Sequence, residues 1–320
     1  MKMIRKITVC LLAAATVWLC GCTGLVEQLI PEDTAVTTQA PFVPVDVEEG
    51  TVYFRDFDGN VITLKEAPQS VASLSPISTE ILCGIGAGRY ITIINESSSN
   101  DEGAPISAVN VPDFYSDTEK LSEMKPDIVF YSTDVISSAS LMVLKNTGLT
   151  LIRIPEKGTI ATAEANIRFI SSVMFKDQAG EKLIGTMRFE FEKMRVAAEI
   201  VGVRKKVYIE GLVFSSYGGD SIVSELCGFA GADNVFGDKK TPYLTNAAEV
   251  TDKDPEVIIV LTYDTENFKA DGVRKRNGLE NVTAVRRKMI YPINITAATR
   301  PTQNITKALR SIGEALKVTK

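Results

Sequence analysis

Histidine is absent from this chain of 320 residues. That removes the commonest general base and the commonest zinc ligand, so a Ser-His-Asp hydrolase and a histidine-based metal centre are both excluded. Cysteine is scarce. Beyond Cys22 only Cys83 and Cys227 remain, too few for a disulfide scaffold or for an iron–sulfur cluster held by four thiolates. Both read as small apolar packing residues. Positive charge is also short: the formal net charge is −5, which leaves no basic footprint for nucleic acid. No phosphate loop is present either. GIGAG at 84–88 closes a helical pattern, whereas a dinucleotide fingerprint opens one. With no paired acid–base or nucleophilic constellation legible, the chain does not read as an enzyme.

What is present is the composition of a globular protein, 45% apolar and 23% charged, on a length that suits two domains. The longest apolar run is at the start. Lys2, Arg5 and Lys6 precede Ile7–Trp18, a stretch shorter than the ~20 residues a membrane span needs. It ends in Leu19-Cys20-Gly21-Cys22, similar to a bacterial lipobox with an unusual cysteine in its second position. Residues 1–21 are therefore expected to be a signal peptide and Cys22 the lipidated residue, on the extracytoplasmic face of the membrane. Residues 22–50, rich in Thr, Pro, Val and acid, read as a tether.

From Thr51 onward strands and helices alternate. TVYFRDFDGNVITL carries Asp58-Gly59, a hairpin signal. Apolar runs at 70–74, 91–94, 128–131 and 149–154 are separated by helical patterns, and a second series follows at 205–211, 257–261 and 289–293. The order indicates parallel-type α/β layers. Between the series, Asp177–Val201 keeps Leu183, Met187, Phe191, Met194 and Ala198 on one helical face. That predicts one helix of ~38 Å. Two motifs occur once on each side of it. LSEMKPDIVF (121–130) matches VTDKDPEVII (250–259), and Glu80-Ile-Leu-Cys-Gly84 is echoed by Glu225-Leu-Cys-Gly228. The expected fold is α/β: an N-terminal lobe (51–175), a bridging helix (176–202) and a similar C-terminal lobe (203–320), with a ligand cleft between the lobes.

These motifs resemble the helical-backbone substrate-binding proteins that feed ABC importers for vitamin B12, ferric siderophores and haem. VASLSPISTEILCGIGAG (71–88), LSEMKPDIVF, SIVSELCGFAGADNVFGD (221–238), EVTDKDPEVIIV and the ending MIYPINITAATRPTQNITKALRSIGEAL carry the resemblance over about residues 51–318. It implies a monomeric, lipid-anchored receptor with no intrinsic cofactor. Its partners are the permease subunits and its cargo is an organic metal chelate: a ferric siderophore, haem or a corrinoid. It also implies that Glu80 and Glu225, as exposed carboxylates on equivalent lobe tips, dock on the permease. By the rule that ligands bind at the carboxyl ends of strands, the ligand-reading candidates are Ser75, the 95–100 loop, Phe114, Tyr115, Tyr131, Ser132, Tyr217, Tyr243 and Arg300, the last through its bidentate guanidinium. The chain departs from cobalamin-binding relatives in having no tryptophan beyond Trp18. Its lack of histidine weighs against histidine-held haem and a bare zinc or manganese ion. A tethered sensor or scavenger with no dedicated transporter is the alternative reading.

Overall fold

The apolar runs fold as two open sheets, one on either side of a long helix. The structure is a computed structural model that describes residues 51–317, apart from 100, 102, 112–117 and 135. The proposed signal peptide, Cys22 and the tether lie outside the described residues.

A hairpin, β1 (Val52–Arg55) and β2 (Val61–Leu64), opens the fold. Its turn is held by Asp56, whose Oδ1 accepts the amides of Asp58 (3.0 Å) and Asn60 (2.7 Å). Gly59 takes the positive φ of 85° that closes such a turn. Then come β3 (Val71–Leu74), α1 (Pro76–Gly84), β4 (Ile91–Asn95), β5 (Val109–Val111), α2 (Thr118–Met124), β6 (Ile128–Tyr131), α3 (Ser138–Lys145), β7 (Leu151–Arg153) and α4 (Ile160–Val173). Their strands form a parallel sheet in the order β5-β4-β3-β6-β7. The bridging helix α5 spans Asp177–Val201 and stops at Gly202, which adopts φ 70°.

The second series is β8 (Lys205–Glu210), β9 (Ser215–Ser216), α6 (Ile222–Phe229), β10 (Ala232–Asn234), β11 (Tyr243–Leu244), α7 (Ala247–Lys253), β12 (Val257–Thr262), α8 (Asp271–Arg274), α9 (Thr283–Arg286), β13 (Ile290–Asn294), α10 (Ile295–Thr299) and α11 (Ile305–Ala315). Here the order is β11-β9-β8-β12-β13, with β10 also paired to β8. The β8–β12–β13 centre is parallel and the β9 and β11 edge antiparallel. β5 and α4 are elements that the sequence pattern did not reveal.

Each sheet buries its outer face separately. Leu74, Ile93 and Val129 pack against Leu121 of α2 and Leu144 of α3. Tyr208 and Ile258 pack with Val250 of α7 and with Leu279. The inner faces share one core, in which Ile81 of α1, Ile170 of α4, Met187 and Phe191 of α5, Leu226 of α6 and Ile312 of α11 are all buried. Gly180 permits the tight α4–α5 turn: a Cβ there would stand 2.2 Å from the Ser171 hydroxyl.

The repeated motif has one structure in both lobes. Lys125 and Asp254 each end a helix with φ 43°, and Pro126 and Pro255, both buried, follow. The next residue then ties its strand to a neighbour. The Asp127 amide donates to Ser70 O (2.8 Å), as the Glu256 amide does to Lys206 O (2.9 Å). The carboxylates answer: Asp127 accepts from the Gln69 and Ser70 amides (2.8 and 2.9 Å), and Glu256 from that of Lys206 (3.1 Å). The repeat is a strand-entry clamp.

Candidate functional site

In both sheets the parallel strands point their carboxyl ends to one edge, and the segments leaving those edges meet. α1 follows β3, and its Glu80 is 6% exposed. Its carboxylate accepts from Arg300 Nη1 (2.7 Å), Thr302 Oγ1 (2.5 Å) and Asn304 Nδ2 (2.8 Å), all in the turn between α10 and α11. Gln303 Nε2 donates to Glu80 O (2.7 Å). Asn166 of α4 adds a bond to Pro301 O (3.2 Å). From the other lobe, half-buried Glu225 of α6 accepts the amide of Ile160 (2.6 Å), the first residue of α4. Its pKa is raised, burial outweighing that hydrogen bond. A helix N-terminus leaves its first amides unpaired, so a carboxylate there is well placed.

This corrects the expectation for both glutamates and for Arg300. Glu80 and Glu225 are not exposed carboxylates on lobe tips; each reaches across to the opposite lobe. Arg300 does not face a ligand with a free guanidinium. It is closed by Glu80, with Asp101 Oδ2 at 3.7 Å on its other side. Burial and the nearby Glu80 charge push Asp101 up to about 6, against the opposing pull of Arg300 and Lys307. Burial, Asp101 and Glu80 push the Cys83 thiol up to about 11, and burial alone takes Cys227 to about 12. Both are thiols rather than reactive thiolates.

Beside the seam lie the strand ends. Ser75 caps α1 by position, but it is fully buried and its hydroxyl has no partner among the described residues. Tyr131 and Ser132 are buried at the end of β6. The Tyr131 pKa is raised first by burial, with Asp58 and Arg153 alongside. Ser132 supports Glu156, which also accepts from Thr133 Oγ1 (3.3 Å) and the Asp134 amide (2.8 Å). In the 95–100 loop, Asn95 and Ser98 are buried and bonded to one another (2.7 Å). Phe114 and Tyr115 lie outside the described residues. Tyr217 and Tyr243 lie at the same β9–β11 edge but on opposite faces: Tyr243 pairs with Ser216 and packs on the outer core, while Tyr217 packs on the inner one. The Tyr243 hydroxyl donates to Glu249 (3.2 Å) and its ring meets Phe236 at 5.3 Å. Among the described residues no cluster of His, Cys, Asp or Glu could hold a bare metal ion.

The most exposed apolar groups at this edge escaped the sequence reading. Leu212 is 82% exposed, Val213 65%, Leu244 78% and Tyr263 81%. A signal for them existed. Tyr263 directly follows the buried run VIIVLT, as Ser132 follows IVFY, and Leu212-Val213 follow β8 after Gly211.

A protein-family model described as "Periplasmic binding protein" matches residues 71–294, which take in both open sheets, Glu80 and Glu225 but end before the Arg300–Asn304 turn. The chain belongs to that family. As a periplasmic binding protein it is a binder and not an enzyme. One relative, the uncharacterized ABC transporter substrate-binding lipoprotein YvrC of Bacillus subtilis, is 23% identical, with 95% of each chain covered. The vitamin B12-binding protein of Vibrio cholerae is 23% identical over 78% of this chain and 90% of its own length. Among solved structures, a possible iron-binding periplasmic solute-binding protein from Staphylococcus epidermidis superposes with a TM-score of 0.72 at 17% identity, covering 78% of this chain and 99% of that one. The haem-binding protein RhuT from Roseiflexus gives 0.66 at 20% identity, over 77% and 98%. These superpositions establish the shared two-lobed fold.

Proposed function

We propose that this periplasmic binding protein is a lipid-anchored, extracytoplasmic receptor that captures an organic metal chelate and delivers it to an ABC importer. The chelate is a ferric siderophore, haem or a corrinoid. The observation that carries the reading is the pair of carboxyl edges meeting at one seam, in a chain similar over most of its length to proteins named as substrate-binding lipoprotein and vitamin B12-binding protein. The relative named as a lipoprotein supports anchoring at Cys22, as does the lipobox-like sequence. A thermal-shift screen of the full chain against corrinoids, ferric siderophores, haem and free metal salts tests the reading. A ligand that binds only the folded state adds ~2.7 kcal/mol at a hundredfold excess over its dissociation constant. A shift with free metals and none with chelates would sink it.

Permease docking needs carboxylates other than the two in the seam. α2 and α7 both lead into the clamped strands, so both begin at the carboxyl edges of their sheets. Each carries a glutamate in its first turn, Glu119 and Glu249. Glu119 is exposed and Glu249 half-exposed. We assign docking to this pair, which would give register and on-rate more than affinity. Glu119→Lys with Glu249→Lys is expected to abolish uptake and leave chelate affinity unchanged. Undiminished uptake refutes the assignment.

A further inference from the structure

We infer that Leu212, Val213, Leu244 and Tyr263 form the face against which the chelate packs, and that the chelate it selects is neutral or cationic. The inference rests on the receptor reading above.

The register brings these four residues to one edge of the second sheet. Glu210, the last residue of β8, stands opposite Val260 of β12, so Tyr263, just past the end of β12, lies at the same sheet edge as the β8–β9 turn that carries Leu212 and Val213. That turn is closed by the Ser215 amide donating to Leu212 O (2.8 Å). Across it, Leu244 pairs with Ser215. Tyr217, half-buried, lies near Tyr263. Apolar groups this exposed and this close together gain by being covered.

Charge decides what covers them. The arginines at these edges are already closed by carboxylates. Arg153 Nε donates to Asp58 (2.9 Å), and Arg300 Nη1 to Glu80 (2.7 Å). Arg276 Nη1 donates to buried Glu210 (2.6 Å), with its guanidinium over the Phe214 ring at 5.5 Å. The lysines of the adjoining loops, Lys157, Lys239, Lys240 and Lys269, are outnumbered by Asp134, Glu156, Asp220, Asp238, Asp264 and Glu266, and Lys239 is already paired with Asp238 (3.0 Å). An anionic chelate would have to break an existing pair or approach an acidic rim. A neutral or cationic chelate covers the apolar face at no such cost.

The test is calorimetric titration of the full chain, at low and high salt, with a panel of probes. These are a neutral ferric trihydroxamate, a monocationic ferric trihydroxamate, cyanocobalamin, haemin and a trianionic ferric tricatecholate. A neutral or cationic probe is expected to bind at least about tenfold more tightly than either anionic one, with the gap narrowing at high salt. Tyr263→Ser and Leu244→Ser should each weaken that binding about tenfold with the melting temperature unchanged, because both side chains are exposed in the free protein. Glu156→Gln should narrow the gap. Equal or tighter binding of haemin or the tricatecholate overturns the inference and leaves the receptor reading standing. So does an unaltered affinity in the Tyr263→Ser, Leu244→Ser double variant. If no probe binds, the receptor reading fails and takes the inference with it.

Discussion

Helices α1 and α6 carry the same short motif, and the two copies do related work with unequal force. Each projects a glutamate into the opposite lobe. Glu80 meets a guanidinium, a hydroxyl and an amide side chain, whereas Glu225 meets one backbone amide. The glycine four residues after Glu80 lies against Gln303 and Leu183, while Gly228 has open space around it. A second carboxylate, Asp101, crowds the Glu80 end. Internal symmetry therefore reached the backbone and the choice of residue; the network around each residue was built separately.

The largest expected effect breaks the stronger end. Glu80→Ala leaves Arg300 half-buried with only the longer contact to Asp101 (3.7 Å) and should cost about 3 kcal/mol, because removing one member of a buried pair strands the other. Urea unfolding midpoints measure it. An effect below that of the matching Glu225→Ala change would show that the asymmetry is not energetic.

Acid titration sharpens the contrast. Asp101 has a folded pKa of about 6 against an ordinary 3.8. Between those values the native state holds a proton that the unfolded chain has released, so this group makes stability fall as pH rises through the window. Asp101→Asn should remove that fall and stabilise the protein at pH 7.5 by about 1 kcal/mol. Stability curves of the two proteins from pH 4 to 7 check it, and parallel curves would refute it.

The glycines give opposite signs. A Cβ on Gly84 would stand 2.8 Å from Gln303 Nε2, itself bonded to Glu80 O, so Gly84→Ala should destabilise by about 1 kcal/mol. Gly228→Ala lies in a helix with nothing within 4 Å and should stabilise by about 0.5 kcal/mol. Thermal melts of both variants decide, and equal shifts would mean the packing difference is immaterial. Smallest of all, Glu225→Gln keeps an acceptor for the Ile160 amide and should cost only a few tenths of a kcal/mol.

The fold was largely legible because its signals are local. The apolar face of α5 and the Pro-containing strand entries depend on neighbours a few residues away, and Asp177–Val201 is helical to its predicted ends. β5 is only three residues long, too short for its alternation to register. α4 was hidden because buried Asn166, Ser171 and Ser172 interrupt its apolar face. The site was less legible, because pairing is not local. Glu80 and Arg300 are separated by most of the chain, and each alone reads as a charge available to an outside partner. Only contact shows that each is the other's partner. Tyr263 failed to stand out for the reverse reason: exposure is a property of what does not pack on it.

The inner core passes without interruption from the first sheet through α5 to the second. The two halves look duplicated, yet neither holds a complete interior, since each would expose the inner faces of α1 and α4 or of α6 and α11. Whatever ancestry the repeat records, the present lobes are heirs to a joint estate. A break anywhere in α5 disinherits both.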